Sequence, residues 1–144
     1  MRVRTPPAIA ALLLAAAALA LAGCGNVTKA KEDAERAVAE FHAQLDAGRF
    51  DAIWDAGGDE LKGGISKQDW SALLAAVRRK LGDVTGSTTR SWNVSSRNLT
   101  TYVTLVQDTT FATGKATETF QLVVRDGRAT LVGYNISSLD LILR

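Results

Sequence analysis

The sequence predicts an α+β domain in which N-terminal helices pack on a curved, four-stranded antiparallel sheet. Apolar residues recur at helical spacing up to residue 81, whereas from Thr88 onward the pattern has a period of two and is rich in Thr and Val. The connections between the period-two segments are short, which favours an antiparallel meander. Helices followed by strands along one chain are typical of the α+β class.

Two helices are predicted first, over residues 30–46 and 49–56. Gly48 is placed to end the first as a left-handed cap, and Gly57-Gly58 ends the second. Both helices are amphipathic. The apolar stripes are formed by Ala34, Ala37, Val38, Phe41 and Leu45 in the first helix, and by Phe50, Ile53 and Trp54 in the second.

The third helix has the clearest start signal, and it is predicted over residues 67–81. Ser66 is the N-cap and Asp69 stands three residues later, as in an acidic capping box. Ile65 and Trp70 are spaced as a hydrophobic staple. The stripe continues through Leu73, Leu74, Val77 and Leu81, and the helix ends at Gly82.

Four strands are predicted, over residues 88–95, 100–112, 116–125 and 128–137. The turns are Ser96-Arg97-Asn98, Thr113-Gly114-Lys115 and Asp126-Gly127, of which Asp-Gly is the strongest hairpin signal. Alternation places one set of side chains on the helix-facing side of the last two strands: Phe120, Leu122, Val124, Val132, Tyr134 and Ile136. Gln121, Arg125, Leu131 and Asn135 are expected on the opposite side. The three tryptophans, Trp54, Trp70 and Trp92, are expected to be largely buried.

The N-terminus carries a targeting signal. Arg2 and Arg4 precede an apolar run from residue 9 to residue 21, which ends in Leu21-Ala22-Gly23-Cys24. The last four residues resemble the lipobox of bacterial lipoprotein precursors. That resemblance implies cleavage before Cys24 and a diacylglyceryl group on its thiol. A transmembrane helix is the alternative, but the fifteen residues from 8 to 22 fall short of the roughly 20 that span a bilayer.

These signals divide the chain into a signal peptide (1–23), a short lipidated tether (24–29) and one α+β domain (30–144). Removal of the signal peptide with its two arginines leaves 15 basic and 15 acidic residues, so the mature chain has no net charge. A neutral chain is not expected to bind nucleic acid. With Cys24 acylated and one histidine in the sequence, we expect no disulfide, thiol nucleophile, metal site or other cofactor.

The predicted location is the cell envelope, and the predicted partner is the membrane, through the lipid on Cys24. Gly25 follows the cysteine where some Gram-negative lipoproteins carry a retention aspartate. By that analogy, the periplasmic side of the outer membrane is favoured over the inner membrane. The protein or small-molecule partner is not predicted.

A set of short motifs resembles small, uncharacterised proteobacterial secreted and lipoprotein domains of unknown function, within or near the nuclear-transport-factor-2-like (cystatin-like) cone folds. The motifs are Leu45-Asp46-Ala47-Gly48, Trp54-Asp55, Ile65-Ser66, Asp69-Trp70, Arg78 with Leu81-Gly82, Thr110-Phe111, Glu118 and Gly133-Tyr134-Asn135-Ile136. The resemblance implies a fold and an envelope location but no reaction. The chain departs from it after residue 136, where residues 137–144 form an apolar extension. We expect this extension to pack on the domain, and a dimer contact is the alternative.

Glu118 is the most informative acidic residue, because alternation places it on the apolar face of its strand. A buried carboxylate needs a partner. We expect a structural ion pair with Arg78 or Arg90, both of which have side chains long enough to reach it. A ligand-orienting or general-base role is the alternative.

His42 lies next to Phe41, about 100° around the first helix, at the margin of the apolar stripe. We expect a hydrogen-bonded boundary residue rather than a catalytic base. Tyr102 and Tyr134 are expected in the core, with their hydroxyl groups directed at partners.

The predicted function is a non-catalytic, lipid-anchored domain that binds a ligand or a partner. One alternative is an isomerase or dehydratase of the cone fold with an acidic pocket residue, and another is an accessory factor of an envelope complex. An open cavity with two convergent polar groups would favour the enzyme. An interior filled by Trp and Tyr would favour a binding or structural role.

Overall fold

A computed structural model describes residues 7–143 of the chain, with side chains described from residue 25 to residue 143. Within this range the elements are α1 (Pro7–Asp46), α2 (Phe50–Ala56), α3 (Asp59–Gly64), α4 (Lys67–Leu81), β1 (Val84–Arg97), β2 (Thr100–Phe111), β3 (Gly114–Arg125), β4 (Arg128–Ser137) and α5 (Leu139–Leu143). The strands form one antiparallel sheet in the order β1-β2-β3-β4. The predicted α+β class and the four-stranded meander are confirmed.

The core lies between one face of the sheet and helices α1, α2 and α4. The stripe of α1 is buried as predicted except at Ala37, which is partly buried. The stripe of α4 is buried at Trp70, Leu74, Val77 and Leu81. The prediction that Leu73 belongs to this buried stripe is wrong, because this residue is 37 % exposed. It lies beside Leu74, about 100° around the helix, and so points away from the sheet.

The prediction that Trp92 is largely buried is also wrong, since this residue is 45 % exposed. It lies on β1, which pairs with β2 on one side and forms an edge of the sheet. The ammonium group of Lys31 lies 5.8 Å from the centroid of its ring, so α1 covers only part of it.

A β-bulge in β4 reverses the faces that simple alternation predicts. Gly133 pairs with Gln121 and Leu131 pairs with Leu122, which leaves Val132 as the extra residue. Leu131 therefore packs against the core, whereas Val132 lies beside Gly58. The prediction for these two residues is wrong, because alternation assumes an uninterrupted ladder.

Other boundaries differ from the predicted ones. The segment between the two glycine pairs forms the short helix α3, and β1 begins at Val84 rather than at residue 88. The first hairpin turn is Asn98-Leu99 rather than Ser96-Arg97-Asn98. The extension packs on the domain as expected, because α5 contacts α4 and β3 and Leu141 packs on the core. The side chains of Leu139, Ile142 and Leu143 are exposed.

The signal peptide, the lipobox and the acylated thiol of Cys24 lie outside the described side chains and stay predictions. Residues 25–29 belong to α1 and are helical. Because a helix rises about 1.5 Å per residue, about 8 Å separates Cys24 from Lys29 along the axis. Among the described residues, no helix combines the length and the apolar character needed to cross a membrane.

Gly82 ends α4 with φ 78° and ψ −157°, a conformation that only glycine adopts readily. A Cβ there would also lie 3.0 Å from the Cβ of Ala112. We therefore expect Gly82→Ala to lower the free energy of unfolding by about 2 kcal/mol. Urea unfolding followed by circular dichroism measures this. Gly63→Ala in α3 is the control, because a Cβ at Gly63 meets no atom within 4 Å. Equal effects at the two positions would contradict the strain argument.

Candidate functional site

Glu118 is fully buried, and three side chains from three other elements donate hydrogen bonds to its carboxylate. His42 Nε2 lies 2.7 Å and Thr109 Oγ1 2.6 Å from Oε2. The hydroxyl of Tyr134 lies 2.7 Å from Oε1. Because a carboxylate can only accept hydrogen bonds, Nε2 of His42 must carry the proton that is shared with Oε2 of Glu118. We call these four residues the carboxylate cluster.

The sheet register brings the carboxylate cluster together. Glu118 lies in the middle of β3, opposite Gln107 of β2 and Ile136 of β4. Thr109 and Tyr134 are each two residues from those partners, on the same face, at the diagonal positions where long side chains meet. His42 lies on α1, one residue after Phe41, and its ring reaches the carboxylate of Glu118 from the helix side.

The predicted ion pair of Glu118 with Arg78 or Arg90 is wrong. Arg78 forms an ion pair with Asp83 and donates from Nε to the carbonyl oxygen of Asp46, at the end of α4. Arg90 lies at a bulge in β1 and pairs with Asp108 at 2.8 Å, on the face of the sheet opposite Glu118. Both guanidinium groups keep contact with water, so neither has to be desolvated to pair with an acid whose oxygens His42, Thr109 and Tyr134 already contact.

Aromatic rings close the space around the carboxylate cluster. Phe41 lies 5.0 Å from Phe120 and 4.9 Å from Tyr134, measured between ring centroids. Trp70 lies 5.8 Å from Tyr134, with the planes at 76°. The indole Nε1 of Trp70 is buried, and no hydrogen-bond acceptor reaches it among the described residues. The interior of the domain is therefore packed with side chains rather than open around Glu118.

A chain of hydrogen bonds leads from the carboxylate cluster to the surface. Thr109 Oγ1 lies 3.1 Å from Ser87 Oγ, which donates to Gln107. Gln107 donates to Thr89, and Thr89 donates to Glu35 at 2.8 Å. The hydrogen bond from the Lys31 ammonium group lowers the pKa of Glu35 despite its partial burial. These polar residues satisfy one another along the seam between α1 and the first two strands.

Tyr134 has a strongly perturbed hydroxyl group. Burial raises its pKa well above the usual 10.0, and the negative charge of Glu118 raises the pKa further. The folded protein therefore holds this proton more tightly than the unfolded chain does. The contribution of this hydroxyl group to the free energy of unfolding is therefore constant below about pH 10, and it decreases as the pH rises above that value.

We expect Tyr134→Phe to remove this part of the alkaline loss of stability. At pH 8 the variant should also lose about 1.5–3 kcal/mol, because the hydroxyl donates to a charged acceptor. Urea unfolding from pH 8 to pH 11 measures both effects, with Tyr102→Phe as the control. If the two variants have the same dependence on pH above 10, the account of Tyr134 is contradicted.

A cleft of about 330 Å³ opens between α1, α2 and β4. Phe41, Phe120 and Leu122 contribute to its apolar wall, and Glu40 and Arg128 bring charge to it. A larger concavity of about 730 Å³ lies near the distal strand ends and α5, but its lining is mostly hydroxyl groups and charged side chains such as Arg90 and Asp108, which pair with each other. The first cleft is the better candidate for binding, because most of the side chains that line it are apolar and several belong to the core.

No set of three His, Cys, Asp or Glu side chains among the described residues is arranged to hold a metal ion. The carboxylate cluster has a single acid and a single histidine, and its donors already occupy the carboxylate.

The comparisons with known proteins define a family without a known activity. The family model "Protein of unknown function (DUF4019)" matches residues 37–134, which contain the whole carboxylate cluster. No curated protein matches the sequence. The helices packed on an antiparallel sheet are compatible with the cone fold that the sequence resemblance implies. Since the match covers more than half of the chain, the protein belongs to the DUF4019 family of proteins of unknown function.

Proposed function

We propose that the protein is a cell-envelope lipoprotein whose domain binds a ligand or partner without catalysing a reaction. The anchor is the acylated thiol of Cys24, with the periplasmic side of the outer membrane as the favoured location. Support for the anchor comes from Leu21-Ala22-Gly23-Cys24 after a basic and apolar segment. The fold is proposed to be the cystatin-like cone of the nuclear-transport-factor-2-like proteins.

The observation that carries the non-catalytic role is the enclosure of Glu118. A general base must reach the proton it removes, at a heavy-atom distance of about 2.6–3.2 Å or through one water. His42, Thr109 and Tyr134 occupy both oxygens of this carboxylate, and aromatic rings surround it. This arrangement supports a structural role for the acid and favours binding over an isomerase or dehydratase reaction.

The cleft between α1, α2 and β4 is the proposed binding site. Its volume of about 330 Å³ is at the lower end of the range for ligand pockets, about 300–1,000 Å³. An apolar wall with Glu40 and Arg128 beside it suits a slender apolar group with a polar end, such as an acyl chain or an apolar peptide side chain.

The fluorescent apolar probe N-phenyl-1-naphthylamine tests this site. We expect the protein to bind the probe, and Ala37→Leu to weaken binding at least fivefold because the new side chain fills the cleft. Ala39→Leu, on the exposed side of α1, is the matched control. Equal binding by both variants would contradict the proposed site.

Cys24→Ser tests the anchor. The change removes the only thiol, so we expect the unprocessed precursor to accumulate and the acylated form to disappear when cells are fractionated and blotted. Gly25→Ser is the control, because it leaves the thiol in place. Normal maturation and membrane retention of Cys24→Ser would overturn the lipoprotein proposal.

A further inference from the structure

One end of the domain combines an exposed leucine with a group of cations. Two hairpin turns, Asn98-Leu99 and Asp126-Gly127, lie at this end, because β1–β2 and β3–β4 are antiparallel neighbours in one sheet. The described side chains of α1 also begin here. The ammonium group of Lys29 lies 3.8 Å from the position that a Cβ would take at Gly127. This end is therefore the one nearest Cys24.

Leu99 is in an unfavourable conformation and environment at the same time. Asn98 and Leu99 have φ values of 48° and 64°, as in the hairpin turns that favour glycine at the second position. The equivalent residue of the other hairpin is Gly127, with φ 72°. Leu99 has a branched side chain in the left-handed region, and that side chain is fully exposed to water. Folding of the domain does not account for a leucine here, whereas an apolar partner outside the domain would.

Four exposed cations lie at the same end of the domain as this leucine: Lys29, Arg97, Arg125 and Arg128. We call them, together with Leu99, the tip surface. Among the acidic residues here, Asp33 is buried and paired with Lys29 at 3.3 Å and with Arg36. Asp126 lies in the turn between Arg125 and Arg128. In the two hairpin turns and their flanks, Arg97, Arg125 and Arg128 outnumber the one carboxylate, Asp126. Asp59 and Glu60 of α3 line a pocket with Arg125 and Arg128 and offset part of this charge.

We propose that the tip surface docks on an anionic phospholipid bilayer, with Leu99 entering the acyl region and the four cations contacting headgroups. The inference rests on the proposed anchor, because Cys24 would hold the tip surface at the bilayer. Lys29 lies about 8 Å along α1 from Cys24, comparable with the Debye length of about 8 Å at physiological ionic strength. Each cation near an anionic surface strengthens binding about fivefold. Docking would orient α5, at the opposite end, away from the membrane.

A fluorescence experiment on the full lipidated protein tests this contact. Acylation uses Cys24, so Leu99→Cys adds a single free thiol for an NBD label. Ile142→Cys is the matched control, an exposed apolar residue in α5 at the opposite end. The labelled proteins are reconstituted in vesicles of phosphatidylcholine with 30 % phosphatidylglycerol and a trace of doxyl-labelled lipid. We expect quenching at position 99 to be at least twice that at position 142.

The charges and the leucine are tested separately. Substituting glutamine for Lys29, Arg97, Arg125 and Arg128, or replacing the anionic lipid by phosphatidylcholine, should reduce quenching at position 99 at least twofold. Leu99→Gly should unfold at the same urea midpoint as the unchanged chain or at a higher one. A lower midpoint would assign Leu99 to folding and overturn the inference.

The outcomes separate the two proposals. Equal quenching at positions 99 and 142, in an acylated protein that floats with the vesicles, would overturn docking and leave the anchor intact. Quenching at position 99 that is unchanged in neutral vesicles would overturn the anionic specificity. A protein without an acyl group that does not float with the vesicles would overturn the proposed anchor and the inference that rests on it.

Discussion

Replacing Glu118 by leucine is expected to lower the free energy of unfolding by about 3 kcal/mol or more. The leucine fits the space but accepts no hydrogen bond. His42, Thr109 and Tyr134 then keep their donors in a buried site without the carboxylate. Urea unfolding at pH 7, followed by circular dichroism, gives the difference.

Two further variants make this result specific. Glu118→Gln keeps one acceptor oxygen and should lose less stability than Glu118→Leu. Glu32→Leu changes an exposed acid on α1 in the same way and should alter stability by no more than about 0.5 kcal/mol. A loss below about 1 kcal/mol for Glu118→Leu would show that the three donors do not depend on the carboxylate.

The second large effect is expected at Trp70. Its side chain is fully buried between Phe41 and Tyr134, so Trp70→Ala should leave a cavity and destabilise the protein by about 3–5 kcal/mol. Trp92→Ala is the matched control on the edge strand, where about half of the ring is exposed, and it should cost about 1 kcal/mol or less. Thermal and urea unfolding of both variants measure this. Similar losses at the two tryptophans would contradict the placement of the core.

The regular parts of the fold were predictable from the sequence. The stripe of α1, the Ser66 cap of α4 and the Asp126-Gly127 turn depend on residues close together in the chain, which local patterns describe well. Trp92 and Leu131 were not predicted correctly. One depends on which strand lies at the edge of the sheet, and the other depends on a bulge that alternation does not anticipate.

The candidate site was predictable only in part. Alternation placed Glu118 on the inner face, and Tyr134 was expected to direct its hydroxyl at a partner. His42 was expected to be hydrogen-bonded, but at a boundary rather than in the core. The partners of Glu118 are set by the register of three strands and by their packing against α1. Side-chain length does not reveal this register, so the predicted ion pair with Arg78 or Arg90 was wrong. The cations of the tip surface could not be located from net charge, because they come from separate parts of the chain.

The carboxylate cluster and the membrane anchor would have separate roles. The cluster ties α1 to the middle of β2, β3 and β4, and so holds the wall of the cleft in place. The anchor would fix where the cleft is presented. Variants of the cluster are therefore expected to change stability without changing membrane attachment, whereas Cys24→Ser is expected to do the reverse.

The most direct test of the lipoprotein account is the intact mass of the protein extracted from its native membranes. We predict a chain that begins at Cys24 and carries the added mass of a diacylglyceryl group, with or without a further acyl chain. A chain that begins at any other residue, or one that begins at Cys24 with an unmodified thiol, would contradict the account.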